Sequence, residues 1–269
     1  MKDKIIFVDI DGPISYGTWM NGKVKINDNL TIPYDWIQSD CDALTKIINE
    51  TGAKVVISSD WKFHYTAEQL GEVFKHYGIP NVIIGETSRI KVKMSSPLEW
   101  DRADQIAKWV VNHKLEMRDW VAIDDLQIGK IFGNPDRSRS GKRIHVLNHI
   151  ECDGDHSVHF KGISLSQKVS EILDWFDDSI SIDEITRRRV SSEYQIQDGE
   201  IKDTDSMLEF FYEVGNLLIP EHLKDLDAFA RNREIWDIAR RVATKVGFTF
   251  TKQMNIDISQ QLESLKIKN

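Results

Sequence analysis

Two carboxylates stand one residue apart near the start of the chain, directly after an apolar segment. The segment 5–8 has the composition of a buried strand, and Asp9, Asp11 and Gly12 follow it. Because residues i and i+2 of an extended chain point the same way, both acidic side chains are expected to leave the strand end together. A hard cation or a phosphoryl-transfer site needs such a pair. A strand that runs into a solvated turn would give the same local pattern.

Three later segments carry polar side chains that could complete a site. Two are apolar strands that end in hydroxyls or carboxylates, and the third is a helix with a basic residue near its start. Their polar residues are Ser58, Ser59, Arg102, Asp124 and Asp125. In an open α/β sheet, ligands bind beyond the carboxyl ends of the strands. These groups are therefore expected to meet Asp9 and Asp11 at one place.

The elements that must position these residues alternate between strands and helices. Strands are predicted at 54–58, 81–84, 120–124 and 143–147, and helices at about 39–50, 66–77, 101–113 and 165–176. This alternation predicts an α/β fold with a doubly wound parallel sheet. The stretch 13–33 contains Asn21-Gly22, a strong hairpin signal between 18–20 and 23–26, and predicts a small β flap over the active face.

The sequence beyond residue 178 has a different character. Residues 179–206 are polar and predict a linker or a long loop, whereas 206–247 are strongly helical in pattern. One predicted helical face comprises Met207, Phe210, Phe211, Val214, Leu217 and Leu218, and a second comprises Ile235, Trp236, Ile238, Ala239 and Val242. We expect two domains, a catalytic one at 1–178 and a mostly helical one at 179–269, for which no motif indicates a role.

In these motifs the chain resembles the haloacid dehalogenase-like (HAD) phosphohydrolase superfamily. The motifs of that family are Asp-x-Asp-Gly, a strand-end Ser or Thr, a Lys or Arg, and a strand-end acidic pair, and all occur here in that order. The resemblance implies a HAD-like Rossmannoid sheet and a phosphatase that forms an aspartyl-phosphate. Residues 1–175 are also similar to the phosphatase domains of nucleic-acid end-repair proteins, among them phage polynucleotide kinase/phosphatase and RNA-repair proteins.

The resemblance implies a role for each acidic residue. Asp9 would be the nucleophile, and Asp11 would protonate the leaving oxygen and then activate water. Asp9, Asp11, Asp124 and Asp125 would form the metal site, with Asp125 as the direct ligand and Asp124 acting through water. Such an all-oxygen site suits Mg²⁺ rather than a softer metal. On their own, Asp124 and Asp125 could equally form a turn or a helix cap.

Phosphate binding is implied for the remaining motif residues. Gly12 would let the backbone turn tightly beside the phosphate. Ser58 or Ser59 would offer a hydroxyl, although a serine at this point is as often a helix cap. Arg102 would offer a two-pronged guanidinium at the basic position, for which the rivals are Lys91, Lys93 and Lys108. Pro13 stands where the family commonly has Thr or Val, which bears on flap geometry more than on chemistry.

Two further clusters have weaker functional interpretations. Potential zinc ligands fall close together at His145, His149, Cys152, His156 and His159, but ordinary strand and surface histidines explain them as well. The basic loop 136–143 follows the acidic pair and could hold a second phosphate, or it could be a solvated loop.

Composition restricts the function further. The 269 residues are 41% hydrophobic and 29% charged, which is typical of a soluble globular protein, and no apolar run is long enough to span a membrane. The net charge of −8 disfavours broad non-specific nucleic-acid binding. No P-loop sequence occurs, so a kinase domain of that class is excluded. Two isolated cysteines and the absence of a recognisable signal peptide predict a cytoplasmic location.

The sequence therefore predicts a Mg²⁺-dependent phosphomonoesterase that acts on a nucleotide or a nucleic-acid 3′-phosphate. The predicted catalytic domain carries no large cap insertion, which favours an extended substrate unless residues 180–269 fold over the site as a substitute lid. Two alternatives stay open. One is a phosphatase of free (deoxy)nucleoside monophosphates, and the other is a catalytically silent module that binds a phosphorylated partner.

Overall fold

The chain divides into two compact units, one of residues 1–144 and 148–178 and the other of residues 145–147 and 179–269. The computed structural model describes residues 3–15, 22–89, 98–126, 128, 148–152, 164–193, 208, 211–212, 214–216, 218–223 and 225–266. The assignment of catalysis to a domain ending at residue 178 stays a prediction. Of the helices that the structure describes, none has the length and apolar character needed to cross a membrane.

A parallel sheet forms the centre of the first unit. The strands are β1 (Ile5–Val8), β2 (Val24–Asn27), β3 (Leu30–Ile32), β4 (Lys54–Ile57), β5 (Ile83–Glu86), β6 (Trp120–Asp124) and β7 (His149–Glu151). Within the described residues the parallel sheet has the order β5-β4-β1-β6-β7. The central strand β1 is apolar and buried at every position, as expected for a strand covered on both faces. The predicted doubly wound α/β sheet is confirmed.

Helices follow the strands as the alternation predicted. In the first unit they are α1 (Gln38–Thr51), α2 (Ala67–His76), α3 (Leu98–Asn112) and α4 (Leu165–Phe176), and in the second they are α5 (Ile182–Glu193), α6 (Ala228–Lys245) and α7 (Lys252–Lys266). Short 3₁₀ helices lie at Asp60–Phe63, Met117–Asp119 and Glu221–Leu223. Local sequence explains several of their ends. The N-cap of α2 is Thr66, which forms a capping box with Gln69, and α1 ends at Gly52 with a φ of 69°.

One face of the sheet packs against α3 and so fixes the helix that carries Arg102. The strand residues of this core are Ile5, Phe7, Val56, Trp120 and Ala122, and the helix contributes Ala103, Ile106 and Ala107. The ring of Phe7 lies edge-on to Trp109 of α3, at 5.5 Å between centroids, and to Trp120 of β6, at 5.7 Å. Each large apolar side chain buried here contributes about 1.5–3 kcal/mol to folding, and together they place the first turns of α3 beside the strand ends.

The structure describes part of the predicted flap. A hairpin pairs β2 with β3 across the turn at Asp28 and Asn29, and the predicted hairpin at Asn21-Gly22 stays a prediction. Its turn is closed by the amide of Asn29, which donates to the side chain of Asn27 at 2.9 Å. The predicted strand partner at 18–20 lies outside the described residues, as does the predicted strand at 143–147.

The second unit contains more helix than the sequence predicted. The segment 179–206, predicted to be a linker or loop, contains α5, whose Glu184 forms ion pairs with Arg187 and Arg188 on the same helix face. All five residues of the second predicted helical face are buried in α6. Of the first face, Phe211 and Val214 are buried and Leu218 is half-buried, while Met207, Phe210 and Leu217 lie outside the described residues or side chains. Helix α7 was not predicted.

Candidate active site

Three neighbouring strands bring polar residues to one edge of the sheet. The register of β1 places Val8 level with the last residue of β4 and with Ile123 of β6. The residues that come next, Asp9, Ser58 and Asp124, therefore lie side by side. The amide of Asp9 donates to the carbonyl of Ile123 at 2.9 Å, and that of Ser58 donates to the carbonyl of Val8 at 3.0 Å. The strand order reverses beside β1, where open α/β sheets bind ligands.

A buried ion cluster forms around Arg102 of α3. Its Nη1 lies 2.7 Å from Oδ2 of Asp9 and 2.8 Å from Oδ2 of Asp124. These three side chains are at most 5% exposed, so each charge depends on the others for compensation. Burial opposes the charge of Arg102, but Asp9 and Asp124 outweigh burial and raise its pKa. Asp60, half-exposed, lies 3.6 Å from Nη2.

The acidic residues at the ends of β1 and β6 form a group that could hold a metal ion. Asp9, Asp124 and Asp125 each offer a carboxylate oxygen, and these oxygens lie within 4.8 Å of one another. Asp11, which was predicted with them, is not part of this group. Burial raises the pKa of Asp124 and Arg102 opposes that rise. The donor set consists of oxygen atoms alone, which fits a hard divalent cation.

Gly12 lies against one of these carboxylates. Its φ is 97°, a left-handed conformation that favours glycine. A Cβ atom at this position would lie 2.6 Å from both Cβ and Cγ of Asp125. Only glycine therefore permits both the turn after β1 and the observed place of the Asp125 side chain.

Asp11 accepts hydrogen bonds from two aromatic residues that no sequence motif indicated. The hydroxyl of Tyr34, which follows β3, and the indole Nε1 of Trp61, in the 3₁₀ helix after β4, both donate to its Oδ1. Burial raises the pKa of Asp11, while these two hydrogen bonds lower it and the charge of Asp9 adds to the rise. The net effect favours the protonated carboxyl compared with a free aspartate.

The two serines after β4 have different surroundings. Ser58 is fully buried, and its hydroxyl has no hydrogen-bond partner among the described residues. The hydroxyl of Ser59 instead accepts from the amide of Trp61 at 3.4 Å and caps the 3₁₀ helix. A buried hydroxyl without a partner is costly, so Ser58 is the serine whose hydroxyl most needs a bond that a ligand could supply.

Lys62 is a buried cation that sequence patterns did not single out. Its Nζ donates to the carbonyl of Ser58 at 3.0 Å, to Oγ1 of Thr87 at 3.0 Å and to Oε1 of Gln105 at 2.8 Å. Gln105 lies one turn after Arg102 on α3, so Lys62 ties that helix to the end of β4. Burial, together with the charge of Arg102, lowers the pKa of Lys62 to about 8.

We expect Lys62→Met to change how stability depends on pH. The pKa of Lys62 is about 8 in the folded protein and near 10.5 in the unfolded chain, so the folded state releases its proton first. The penalty for burying the charge is complete below pH 8 and disappears as the pH approaches 10.5. The free energy of unfolding of the wild type should therefore rise across this window relative to the variant. Urea denaturation of both proteins at several pH values measures this, and parallel curves would contradict it.

The other candidate residues fall into three groups by their place in the structure. Lys108 is exposed on α3, whereas Arg102 on the same helix is buried at the strand ends. His149 and Cys152 are buried near β6, where the Nε2 of His149 lies 3.3 Å from the carbonyl oxygen of Asp124. Neither belongs to a metal-compatible group among the described residues. The remaining candidates, Lys91, Lys93, His145, His156, His159 and the basic loop 136–143, lie outside the described residues.

Comparison with protein-family models identifies the family of this chain. A family model for the HAD domain in Swiss Army Knife RNA repair proteins matches residues 5–149, more than half of the chain. The matched segment includes all the strand-end residues described above and the helix of Arg102. Neither the curated proteins nor the solved structures contain a match to this chain.

Proposed function

Since the chain belongs to the family of HAD domains in Swiss Army Knife RNA repair proteins, we propose that it is a Mg²⁺-dependent phosphomonoesterase for the 3′-phosphate of a nucleic-acid end or a nucleotide. Family membership makes it a HAD-type phosphatase and supports a phosphorylated nucleic acid as its substrate. The metal, the reaction path and the preferred position of the phosphate are the proposed parts.

The observation that carries this proposal is the buried ion cluster at the end of β1. Asp9 is a carboxylate with little water around it, held by Arg102 at 2.7 Å and placed beside Asp124 and Asp125. A carboxylate in such a place can attack phosphorus, because the guanidinium of Arg102 offsets part of the negative charge of the approaching phosphoryl group.

The proposed first step transfers the phosphoryl group to Asp9. A carboxylate oxygen of Asp9 bonds to phosphorus, and the bond from phosphorus to the leaving oxygen breaks with its electron pair on that oxygen. Asp11 supplies a proton to the leaving oxygen, so the product leaves as an alcohol. The aspartyl-phosphate remains on Asp9.

The proposed second step hydrolyses this intermediate. Asp11, now ionised, removes a proton from a water molecule, whose oxygen bonds to phosphorus. The bond between phosphorus and the oxygen of Asp9 then breaks, which releases inorganic phosphate and restores both side chains.

The surrounding groups are suited to binding the phosphoryl oxygens. A Mg²⁺ ion held by Asp9, Asp124 and Asp125 would offset the charge of the phosphoryl group. The buried hydroxyl of Ser58 would donate to a phosphoryl oxygen, the partner that it lacks among the described residues. The guanidinium of Arg102 adds a fixed positive charge that cannot be lost by deprotonation.

The size of the insertions supports an extended substrate. In the described part of the chain, the segment between β1 and α1 contributes only the hairpin of β2 and β3, and the segment between β4 and α3 is taken up largely by α2 and β5. Large insertions at these points would enclose a small metabolite. The short ones favour a polymer as the substrate, whose terminal phosphate would reach Asp9.

A substrate panel tests the proposal. Release of inorganic phosphate is measured from 3′-phosphorylated and 5′-phosphorylated oligonucleotides and from nucleoside 3′- and 5′-monophosphates, each with Mg²⁺ and with EDTA. We expect kcat/KM for the 3′-phosphorylated oligonucleotide to exceed that for the mononucleotides by about tenfold or more, because binding of the polymer contributes to catalysis. EDTA should abolish release.

The same panel distinguishes the alternatives. Equal or faster turnover of the free monophosphates would favour a phosphatase of nucleotides. Saturable binding of a phosphorylated oligonucleotide without release of phosphate in Mg²⁺ would favour a silent binding module. Phosphate release that is unaffected by EDTA would contradict the role of a metal.

A further inference from the structure

The carboxyl group of Asp11 receives two hydrogen bonds at a single oxygen. The hydroxyl of Tyr34 lies 2.5 Å from Oδ1, and Nε1 of Trp61 lies 2.9 Å from the same atom. The other oxygen, Oδ2, makes no hydrogen bond to the residues that the structure describes. A carboxyl group turns readily about its last side-chain bond. Because both donors bind the same oxygen, they hold the carboxyl group of Asp11 in a single orientation.

The segment that carries Tyr34 is fixed to the loop after β1. Within that segment, the carbonyl of Asp35 accepts from the hydroxyl of Ser15 at 3.3 Å, and the amide of Ile37 donates to the carbonyl of Ile14 at 2.9 Å. Both contacts come directly after Tyr34 in the chain, and they hold its segment in place relative to that loop. Its side chain is only 8% exposed.

Trp61 is held from the side of β4. Its amide is capped by Ser59, and its ring lies edge-on to those of Tyr34 and Trp36 at 5.7 Å and 5.6 Å between centroids. The side chain is 3% exposed. Neither donor can change its rotamer without opening a closely packed group of rings.

We propose that Tyr34 and Trp61 are positioning residues that hold Asp11 with Oδ2 as the oxygen that exchanges the proton with the leaving group. The inference rests on the proposed function, in which Asp11 supplies that proton. The hydroxyl of Tyr34 and the indole N–H of Trp61 both donate to Oδ1, and together they occupy the two positions at which that oxygen could carry a proton or accept a bond. A proton carried by Asp11 therefore lies on Oδ2. The two aromatic residues fix which oxygen acts, and neither of them takes part in bond making.

The variant Tyr34→Phe tests the proposal because it removes one donor and keeps the packed ring. Its matched control is Tyr65→Phe, which loses the hydroxyl of a ring that also packs on Trp61, at 5.2 Å. The hydroxyl of Tyr65 donates to the carbonyl of Thr31 instead of to Asp11. Thermal unfolding of both variants checks that they are folded, and Trp61→Phe removes the second donor independently.

The readout compares two leaving groups. p-Nitrophenolate departs as a stable anion, whereas the sugar alkoxide of a 3′-phosphorylated oligonucleotide needs a proton. We expect Tyr34→Phe to lower kcat/KM for the oligonucleotide on the order of tenfold and kcat/KM for p-nitrophenyl phosphate by less than about threefold. This parameter covers the steps up to transfer of the phosphoryl group to Asp9, where only the oligonucleotide needs the acid, and leaves out the later hydrolysis, in which Asp11 serves both substrates. Trp61→Phe should show the same preference, and Tyr65→Phe should show neither loss.

A double variant makes the test decisive. If Tyr34 acts only through Asp11, then adding Tyr34→Phe to Asp11→Asn should cause no further loss of kcat/KM for the oligonucleotide. Equal losses on both substrates, no loss on either, or an added loss in the double variant would overturn the positioning role. These results differ from failure of the proposed function, in which the wild type itself would release no phosphate and both assignments would be rejected.

Discussion

Asp9→Asn is expected to lower phosphate release by at least about 10³-fold, since loss of a covalent nucleophile removes the whole reaction path. The amide oxygen of asparagine carries no charge and is a weak nucleophile, but its size and shape match the carboxylate. The variant should fold, because Arg102 keeps its contact with Asp124 at 2.8 Å. Initial rates on the 3′-phosphorylated oligonucleotide measure the effect.

The control for this prediction is the same chemical change at an exposed position. Asp42 lies on the exposed face of α1, where it accepts from Gln38 at 2.8 Å. Asp42→Asn should keep the wild-type rate. Circular dichroism and thermal unfolding establish that each variant is folded. Substantial phosphate release by folded Asp9→Asn would reject Asp9 as the nucleophile and, with it, the aspartyl-phosphate path.

Arg102→Met is expected to have the largest effect on stability, a loss of about 3–5 kcal/mol in the free energy of unfolding at neutral pH without divalent metal. Methionine nearly fills the volume of the arginine stem but leaves Asp9 and Asp124 buried without their shared cation. Phosphate release should fall as well, because the phosphoryl group loses a fixed positive charge. Urea denaturation in EDTA measures the stability, and the same titration in Mg²⁺ should recover part of the loss.

Two further variants serve as comparisons for Arg102→Met. Arg102→Lys keeps the charge but offers one ammonium in place of a planar guanidinium, so its stability should fall between those of the wild type and Arg102→Met. Arg89→Met removes an arginine from an exposed ion pair with Glu86, and its unfolding midpoint should hardly change. An unfolding midpoint for Arg102→Met equal to that of the wild type would show that the buried carboxylates do not depend on this cation.

The strand-end part of the site was predictable because it depends on local sequence and on one rule of topology. Asp9, Ser58 and Asp124 each follow an apolar strand, and parallel neighbours end at the same edge. The choice between Ser58 and Ser59 required the register, since the hydrogen bond from Ser58 to Val8 fixes where β4 ends. A shift of one residue would have exchanged their surroundings.

The residues that sequence reasoning missed act through tertiary contacts. Tyr34 and Trp61 reach Asp11 across 23 and 50 residues of chain, and their side chains look like ordinary core aromatics in a linear pattern. Lys62 gave no signal because a lysine is usually a surface residue. Its burial becomes visible only when Thr87 and Gln105 are brought next to it.

The helices that were missed lack the periodicity on which prediction depends. In α5 the ion pairs of Glu184 with Arg187 and Arg188 support a helix with few apolar residues. In α7 only Met254 and Ile258 are buried, so its apolar stripe is too short to be distinguished from a loop. Helix α6, which buries one continuous face, was predictable for the opposite reason.

The order of the strands affects how the protein folds during its synthesis on the ribosome. Strand β1 lies between β4 and β6, and both of these partners are translated after it. At ordinary elongation rates the gap between Val8 and Asp124 takes on the order of ten seconds to synthesise. Throughout that time the apolar segment Ile5–Val8 lacks its partner strand β6. An exposed apolar strand of this kind is a binding signal for chaperones and a risk of misassembly. The acidic cluster of Asp9, Asp124 and Asp125 can form only after β6 has been synthesised. A nascent chain therefore has no complete active site before residue 125 has emerged from the exit tunnel.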